Sequence, residues 1–316
     1  MTQLSRSFSR REAIKCGLFT GVSLAASRVT VFGTNAPQQL PLISRTIPST
    51  GERIPVVGVG TIRFGENEAQ DIAPLHQVLR RLPQLGGLVV DTARSYNRSE
   101  IVIGEFFDKI GHRDELFLAT KVPVQGNDVK TNLASFEESF RRLKTDRIDL
   151  MQVHNVAGAE MMLPVLREWK QEGRIRYIGI TAWREVQHEE LLGLMRRQEF
   201  DFVQINYSLD DRVSAEKLLP LAADRGMAVL INVPFGKASL FAKVAGKPLP
   251  DWAAEIDCRT WAQVLLKYVV SHPAVTCTIP GTTKVAHLED NLEAARGRLP
   301  DASVRQRMER YWDSLA

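Results

Sequence analysis

Short apolar runs return about every thirty residues along this chain, separated by amphipathic stretches long enough for two to four helical turns. The runs are GLVV at 87–90, LFLAT at 116–120, IDLMQV at 148–153, YIGI at 177–180, FVQI at 202–205, AVLI at 228–231 and VTCTI at 275–279. The stretches with helical periodicity are 68–82, 99–110, 132–144, 159–173, 184–197, 214–225, 259–272 and 285–296. Brief runs bounded by polar residues, Gly or Pro match buried parallel strands, and their alternation with helices predicts βαβ units. The segment IPVVGVG at 54–60 adds a strand over 57–59. A hairpin of 44–47 against 54–57, turning through Ser49, Thr50, Gly51 and Glu52, precedes it. Eight strands close a (β/α)8 barrel, the TIM-barrel form of the α/β class, here with an N-terminal β-hairpin capping the barrel floor. The competing doubly wound open sheet needs a Gly-x-Gly-x-x-Gly loop after its first strand. Here Gly58-Val59-Gly60 is followed at that spacing by Arg63.

With 44% hydrophobic and 25% charged residues, the chain has the composition of a globular domain, which argues against a disordered chain or a collagen-like repeat. No apolar run approaches the ~20 residues of a membrane-spanning helix, so no stable membrane anchor is expected. The net charge of +4 is concentrated at the start. Residues 1–27 hold Arg6, Arg10, Arg11 and Lys15 against Glu12, leaving 37 basic against 36 acidic residues in the remainder. So neutral a body lacks the basic face that nucleic-acid binding requires. Three cysteines, Cys16, Cys258 and Cys277, form no Cys-x-x-Cys pair and no Cys/His cluster, which argues against structural zinc. Cys258 and Cys277 are read as two buried thiols, with one disulfide as the alternative in an exported protein.

The N-terminus reads as an address. Ser9-Arg10-Arg11-Glu12-Ala13-Ile14-Lys15 leads into a mild apolar run, 16–26, ending in Ala25, Ala26 and Ser27. A charged start, an apolar middle and a small-residue end make a signal peptide. The paired arginines resemble a twin-arginine (Tat) signal, although Ala13 stands where that pattern has Phe. The organisation expected is a signal peptide at 1–27, a linker at 28–41 and a barrel at 42–316. The Tat translocon is then the partner in transit and the periplasm the destination, with a cytoplasmic enzyme as the alternative.

Three successive runs end in an ionisable residue: GLVV in Asp91, LFLAT in Lys121 and MQV in His154. In a parallel barrel such residues emerge at one rim, the C-terminal face where barrel active sites are built. Tyr96 lies five residues beyond Asp91, in the loop above that rim. Singly, each has an ordinary explanation: a helix cap, a solvated amine, a core imidazole, a packing ring. Together, and in phase, they predict a site. Metal-assisted hydrolysis would need a cluster of His and Asp at several strand ends, where His154 is the only His.

The string Val90-Asp91-Thr92-Ala93-Arg94-Ser95-Tyr96-Asn97-Arg98-Ser99-Glu100, closing with Ile103-Gly104, resembles the first signature of the aldo-keto reductases. Lys121 and His154 fall where that family places its catalytic Lys and His. Gly179-Ile180-Thr181, Gln204, Pro234-Phe235-Gly236 and Ile279-Pro280-Gly281-Thr282-Thr283-Lys284, leading to Asp290-Asn291, continue the likeness over roughly residues 43–300. The resemblance implies reduction of small aldehyde or ketone carbonyls by hydride from NADPH, with NADH as the alternative, and catalysis by Asp91, Tyr96, Lys121 and His154. Tyr96 is the general acid, since hydride addition leaves charge on oxygen that a proton donor must meet. Lys121 should lower the phenol pKa, Asp91 should hold Lys121, and His154 should bond the carbonyl oxygen. The resemblance assigns Thr181 and Gln204 to the nicotinamide carboxamide, and adds Pro234, Phe235, Gly236, Gly281, Thr282, Thr283, Lys284, Asp290 and Asn291 as cofactor contacts. Lys284 is expected to meet a 2′-phosphate. The sequence departs from the pattern at Ala182, in place of Asn, and at Asn232, in place of an aromatic; Tyr207 is the expected substitute. His287 stands where Arg is common. Trp183, Phe64 and Tyr207 are the expected pocket walls. A cofactor-binding regulatory or sensor subunit with little turnover is the alternative function.

Overall fold

In the computed structural model, which describes residues 40–315, every expected strand forms. The hairpin pairs β1 (Ser44–Thr46) with β2 (Arg53–Pro55). The barrel strands are β3 (Val59–Gly60), β4 (Val89–Asp91), β5 (Phe117–Val122), β6 (Ile148–Val153), β7 (Ile175–Thr181), β8 (Phe202–Asn206), β9 (Ala228–Asn232) and β10 (Cys277–Thr278). All eight pair in parallel in chain order, and bridges from Val57 to Thr278 and from Gly60 to Gly281 close the ring. Gly60 is required at that seam, because a Cβ there would lie 2.7 Å from the Ile279 carbonyl oxygen. The leader expected at 1–27, and most of the linker at 28–41, lie outside the described residues.

Helices cover the ring as α1 (Ala73–Gln84), α2 (Ser99–Ile110), α3 (Val129–Leu143), α4 (Ala159–Gln171), α5 (His188–Arg197), α6 (Leu218–Asp224), α7 (Ser239–Lys243), α8 (Trp261–Val270), α9 (Val285–Glu293) and α10 (Ala302–Ser314). The first begins five residues later than the periodicity predicts, with Pro74 in its first turn, where the missing N–H costs no intrahelical bond. The signature glycine Gly104 sits where α2 meets the end of α3: a Cβ there would lie 2.0 Å from the Arg142 carbonyl oxygen. The last helix, α10, was not expected; it is largely polar and buries only Met308 and Trp312.

The barrel interior is apolar at the bottom. Phe117, Tyr177 and Phe202 pack there with centroids 5.4–6.0 Å apart. Ile47 and Ile54 of the hairpin are fully buried in the same cluster, and the Tyr177 hydroxyl meets Thr50 and Glu52. The expected floor cap is therefore observed. Cys258 and Cys277 are both free, buried thiols, so the disulfide alternative does not hold.

Candidate active site

Strand alternation decides which side chains line the axis. On β5, Phe117 and Ala119 belong to the inner cluster and Leu118 and Val122 to the outer one, which places Lys121 inward. Counting from Val89, Leu150, Tyr177 and Phe202 in the same way brings Asp91, Gln152, His154, Thr181 and Gln204 inward. Register sets their height, with Asp91 beside Ala119, Lys121 beside Gln152 and Thr181 beside Gln204. A polar layer therefore sits directly above the aromatic floor.

Lys121 and Asp91 are each only 2% exposed, and Lys121 Nζ donates to Asp91 Oδ2 at 2.5 Å and to the Thr92 carbonyl at 2.9 Å. Gln204 Nε2 donates to the other oxygen, Asp91 Oδ1, at 2.8 Å. Both carboxylate oxygens are thus engaged. Burial lowers the Lys121 pKa, but the opposing charge of Asp91 and the neighbouring Tyr96 outweigh it, so the ammonium ends above its ordinary value and stays charged. The Lys121 Nζ lies 4.8 Å from the Tyr96 ring centroid.

Tyr96 is carried by a tight turn after β4. Its backbone N–H bonds the Ala93 carbonyl, Arg94 N–H bonds the Lys121 carbonyl, and Asn97 adopts a left-handed conformation at φ 42°. The turn is further tied down by Ser99, whose hydroxyl reaches Thr61 and Thr92. The Tyr96 pKa is raised: burial pushes it up and outweighs the lowering by the Lys121 charge. This corrects the expectation that Lys121 leaves the phenol more acidic than a free tyrosine. Desolvation wins at the mouth, and the phenol remains loaded with its proton at neutral pH.

His154 caps β6, with its N–H on the Val122 carbonyl. Its ring stands edge-on to Tyr96, with centroids 6.0 Å apart and planes at 85°. Burial, then the nearby Lys121 charge, drops its pKa from 6.5 to about 3, so the imidazole is neutral. The four residues expected to act together are therefore gathered at one mouth.

The expected cofactor contacts divide. Thr181 and Gln204 meet at neighbouring strand ends, and the buried Gln204 Oε1 has no partner. The Thr181 hydroxyl oxygen accepts from Asn155 N–H at 2.8 Å. Pro234, Phe235 and Gly236 form the turn after β9, with Gly236 at φ 56° and Phe235 packed on Phe241. Gly281 lies at the closing seam, and Thr282 Oγ1 accepts from the Lys284 N–H just before α9, leaving Thr283 and Lys284 towards solvent. Asp290 accepts from Thr260 Oγ1 and Gln263 Nε2, bracing α8 against α9, and Asn291 is buried beside it. Two expected pocket walls lie elsewhere. Phe64 is fully buried, and Tyr207 is buried in the outer layer against Tyr268, bonded to Arg305, so it cannot fill the space left by Asn232. Trp183 is at the rim, partly exposed, with Lys237 Nζ 4.1 Å from its ring centroid. Among the described residues no three His, Cys, Asp or Glu side chains gather as a metal site.

Sequence reasoning missed Ser95, Gln152 and Asn155. Gln152 had a readable signal, since it stands two residues before His154 on the same face of one strand. Ser95 and Asn155 had none, because their roles depend on turn geometry.

A closed parallel barrel with a phenol, a buried ammonium–carboxylate pair and an imidazole at the carboxyl ends of adjacent strands defines a barrel oxidoreductase. The chain belongs to the aldo/keto reductase family, whose model matches residues 56–310. It is 30% identical over 252 residues to methylglyoxal reductase DkgB of Yersinia pestis, covering 77% of this chain and 88% of that one. It is 28% identical over 256 residues to methylglyoxal reductase YeaE of Escherichia coli K12, covering 79% and 89%. Among solved structures, an aldo/keto reductase from Klebsiella pneumoniae in complex with NADP and acetate shares the fold, with a TM-score of 0.73 at 24% identity over 86% of this chain and 96% of that one.

Proposed function

We propose that this protein reduces small aldehyde and ketone carbonyls to alcohols with NADPH, using Tyr96 as the general acid. The observation that carries the reading is the buried Lys121–Asp91 pair beneath the Tyr96 ring, with a neutral His154 beside it.

The chain's residues fit the cofactor. Gln204 Oε1 and Asn232 Oδ1 are buried polar atoms without partners in the strand-end layer, suited to a carboxamide. The first-turn amides of α9 have no intrahelical acceptor and suit a phosphate. Lys284, exposed just before that helix, suits the 2′-phosphate that distinguishes NADPH from NADH. When bound, the cofactor supplies the hydride that adds to the carbonyl carbon. His154 orients the carbonyl oxygen by a hydrogen bond, and the Tyr96 hydroxyl gives that oxygen its proton. The charged Lys121 then faces the phenolate and stabilises it until solvent returns the proton. Asp91 keeps Lys121 charged and aimed.

The test is NADPH oxidation by the purified protein with a panel of small aldehydes, methylglyoxal among them. Turnover supports the reading. Tight NADPH binding without oxidation by any member of the panel would point instead to a cofactor-binding regulatory subunit, and tighter binding of NADH would overturn the cofactor preference.

We further propose export by the Tat route, on the strength of Arg10-Arg11 and the apolar run behind them. Fractionation with sequencing of the mature N-terminus tests this; soluble cytoplasmic protein retaining Met1 would contradict it.

A further inference from the structure

The neutral His154 imidazole carries one hydrogen on two nitrogens, and only one arrangement lets it donate towards the mouth. Nδ1 lies 3.1 Å from the Ser95 hydroxyl oxygen. Nε2 has no partner among the described residues. A hydroxyl can donate or accept, so either tautomer satisfies Ser95. If Nδ1 carries the hydrogen, Nε2 is a bare acceptor facing a carbonyl oxygen that is also an acceptor, and the two repel. If Ser95 donates to Nδ1, the hydrogen sits on Nε2 and points at the ligand.

We infer that Ser95 is a positioning residue that fixes His154 in the Nε2–H tautomer and so aims a donor at the substrate oxygen. The inference rests on the carbonyl-reduction reading and adds a residue that reading does not use. Ser95 is suited to the task because it belongs to the same tight turn as Tyr96. The bonds of Arg94 N–H to the Lys121 carbonyl and Tyr96 N–H to the Ala93 carbonyl hold that turn to the barrel rim. One five-residue turn therefore presents the proton donor and orients the second hydrogen-bond donor. Among the described residues the Ser95 side chain bonds His154 and neither member of the Lys121–Asp91 pair, so it acts through His154.

Nitrogen-15 spectra of histidine-labelled full-length protein, with the His154 signals assigned from their loss in His154→Gln, read the tautomer directly. The expected wild-type spectrum has a pyridine-type Nδ1 and a pyrrole-type Nε2. Ser95→Ala should broaden or shift the Nδ1 signal and lower kcat roughly three- to tenfold, the worth of one hydrogen bond, with NADPH affinity unchanged. Ser95→Thr, which keeps the hydroxyl, should restore both. A wild-type spectrum with the hydrogen on Nδ1, or a Ser95→Ala protein with unaltered imidazole signals and kcat, would overturn the inference. The spectrum needs no substrate. A protein showing the expected tautomer but reducing no carbonyl would therefore break the functional reading alone, and an active protein with Nδ1–H would break this one alone.

Discussion

Two groups of polar side chains at the barrel mouth are built on different terms. Asp91, Lys121 and His154 are already committed: both oxygens of Asp91 are bonded, Lys121 holds two acceptors, and His154 has Ser95. Among the amides, Gln152 Nε2 and Oε1 on β6, Gln204 Oε1 on β8 and Asn232 Oδ1 on β9 are buried without partners. Buried polar atoms left unpaired cost free energy, so a mouth that carries them is suited to a ligand that pairs with them. The contrast teaches that the ammonium–carboxylate pair and the imidazole are held by the fold itself, whereas the amides of the same layer are left open. Gln204 joins the two, with its amide nitrogen on Asp91 and its oxygen open.

The most damaging way to break the committed group is Lys121→Met. It strands a buried carboxylate, and the expected loss is about 3–5 kcal/mol of unfolding free energy, read as a lower urea midpoint, together with nearly all turnover. A midpoint close to wild type would mean that the pair carries little weight in the fold. Gln204→Leu breaks the link between the two groups. It removes a bond to a charged group, so NADPH dissociation constant and kcat should each worsen about tenfold. If only the dissociation constant moves, Gln204 serves the cofactor alone and the two groups are independent. The smallest effect belongs to the exposed approach to α9, outside both groups. Lys284→Met removes an exposed charge, and should weaken NADPH about two- to fivefold while leaving NADH unaffected, read by quenching of intrinsic fluorescence.

The same contrast governs how much was legible beforehand. Strand ends were readable because period-two alternation and an apolar run together fix where a side chain emerges, and this placed Asp91, Lys121 and His154 correctly. Turn contents were not. Nothing in Arg94-Ser95-Tyr96-Asn97 announces that Ser95 reaches back to an imidazole 59 positions away. Phe64 and Tyr207 misled for the opposite reason: aromatic residues near a rim look alike in sequence whether they face the mouth or the helices, and both are buried away from it. The phenol pKa was misjudged because a sequence shows the neighbouring charge of Lys121 but not how dry the mouth is. Asp290 also carries a structural duty, on Thr260 and Gln263, that only packing exposes.

The central claim is that Tyr96 delivers the proton from a site the fold has already assembled. Tyr96→Phe tests it most directly, because the ring keeps its place beside Lys121 and only the hydroxyl is lost. The account predicts a fall in kcat of about 10²–10⁴-fold with small aldehydes, the usual worth of a positioned acid, with NADPH binding nearly unchanged. A Tyr96→Phe protein that turns over at close to the wild-type rate would contradict it.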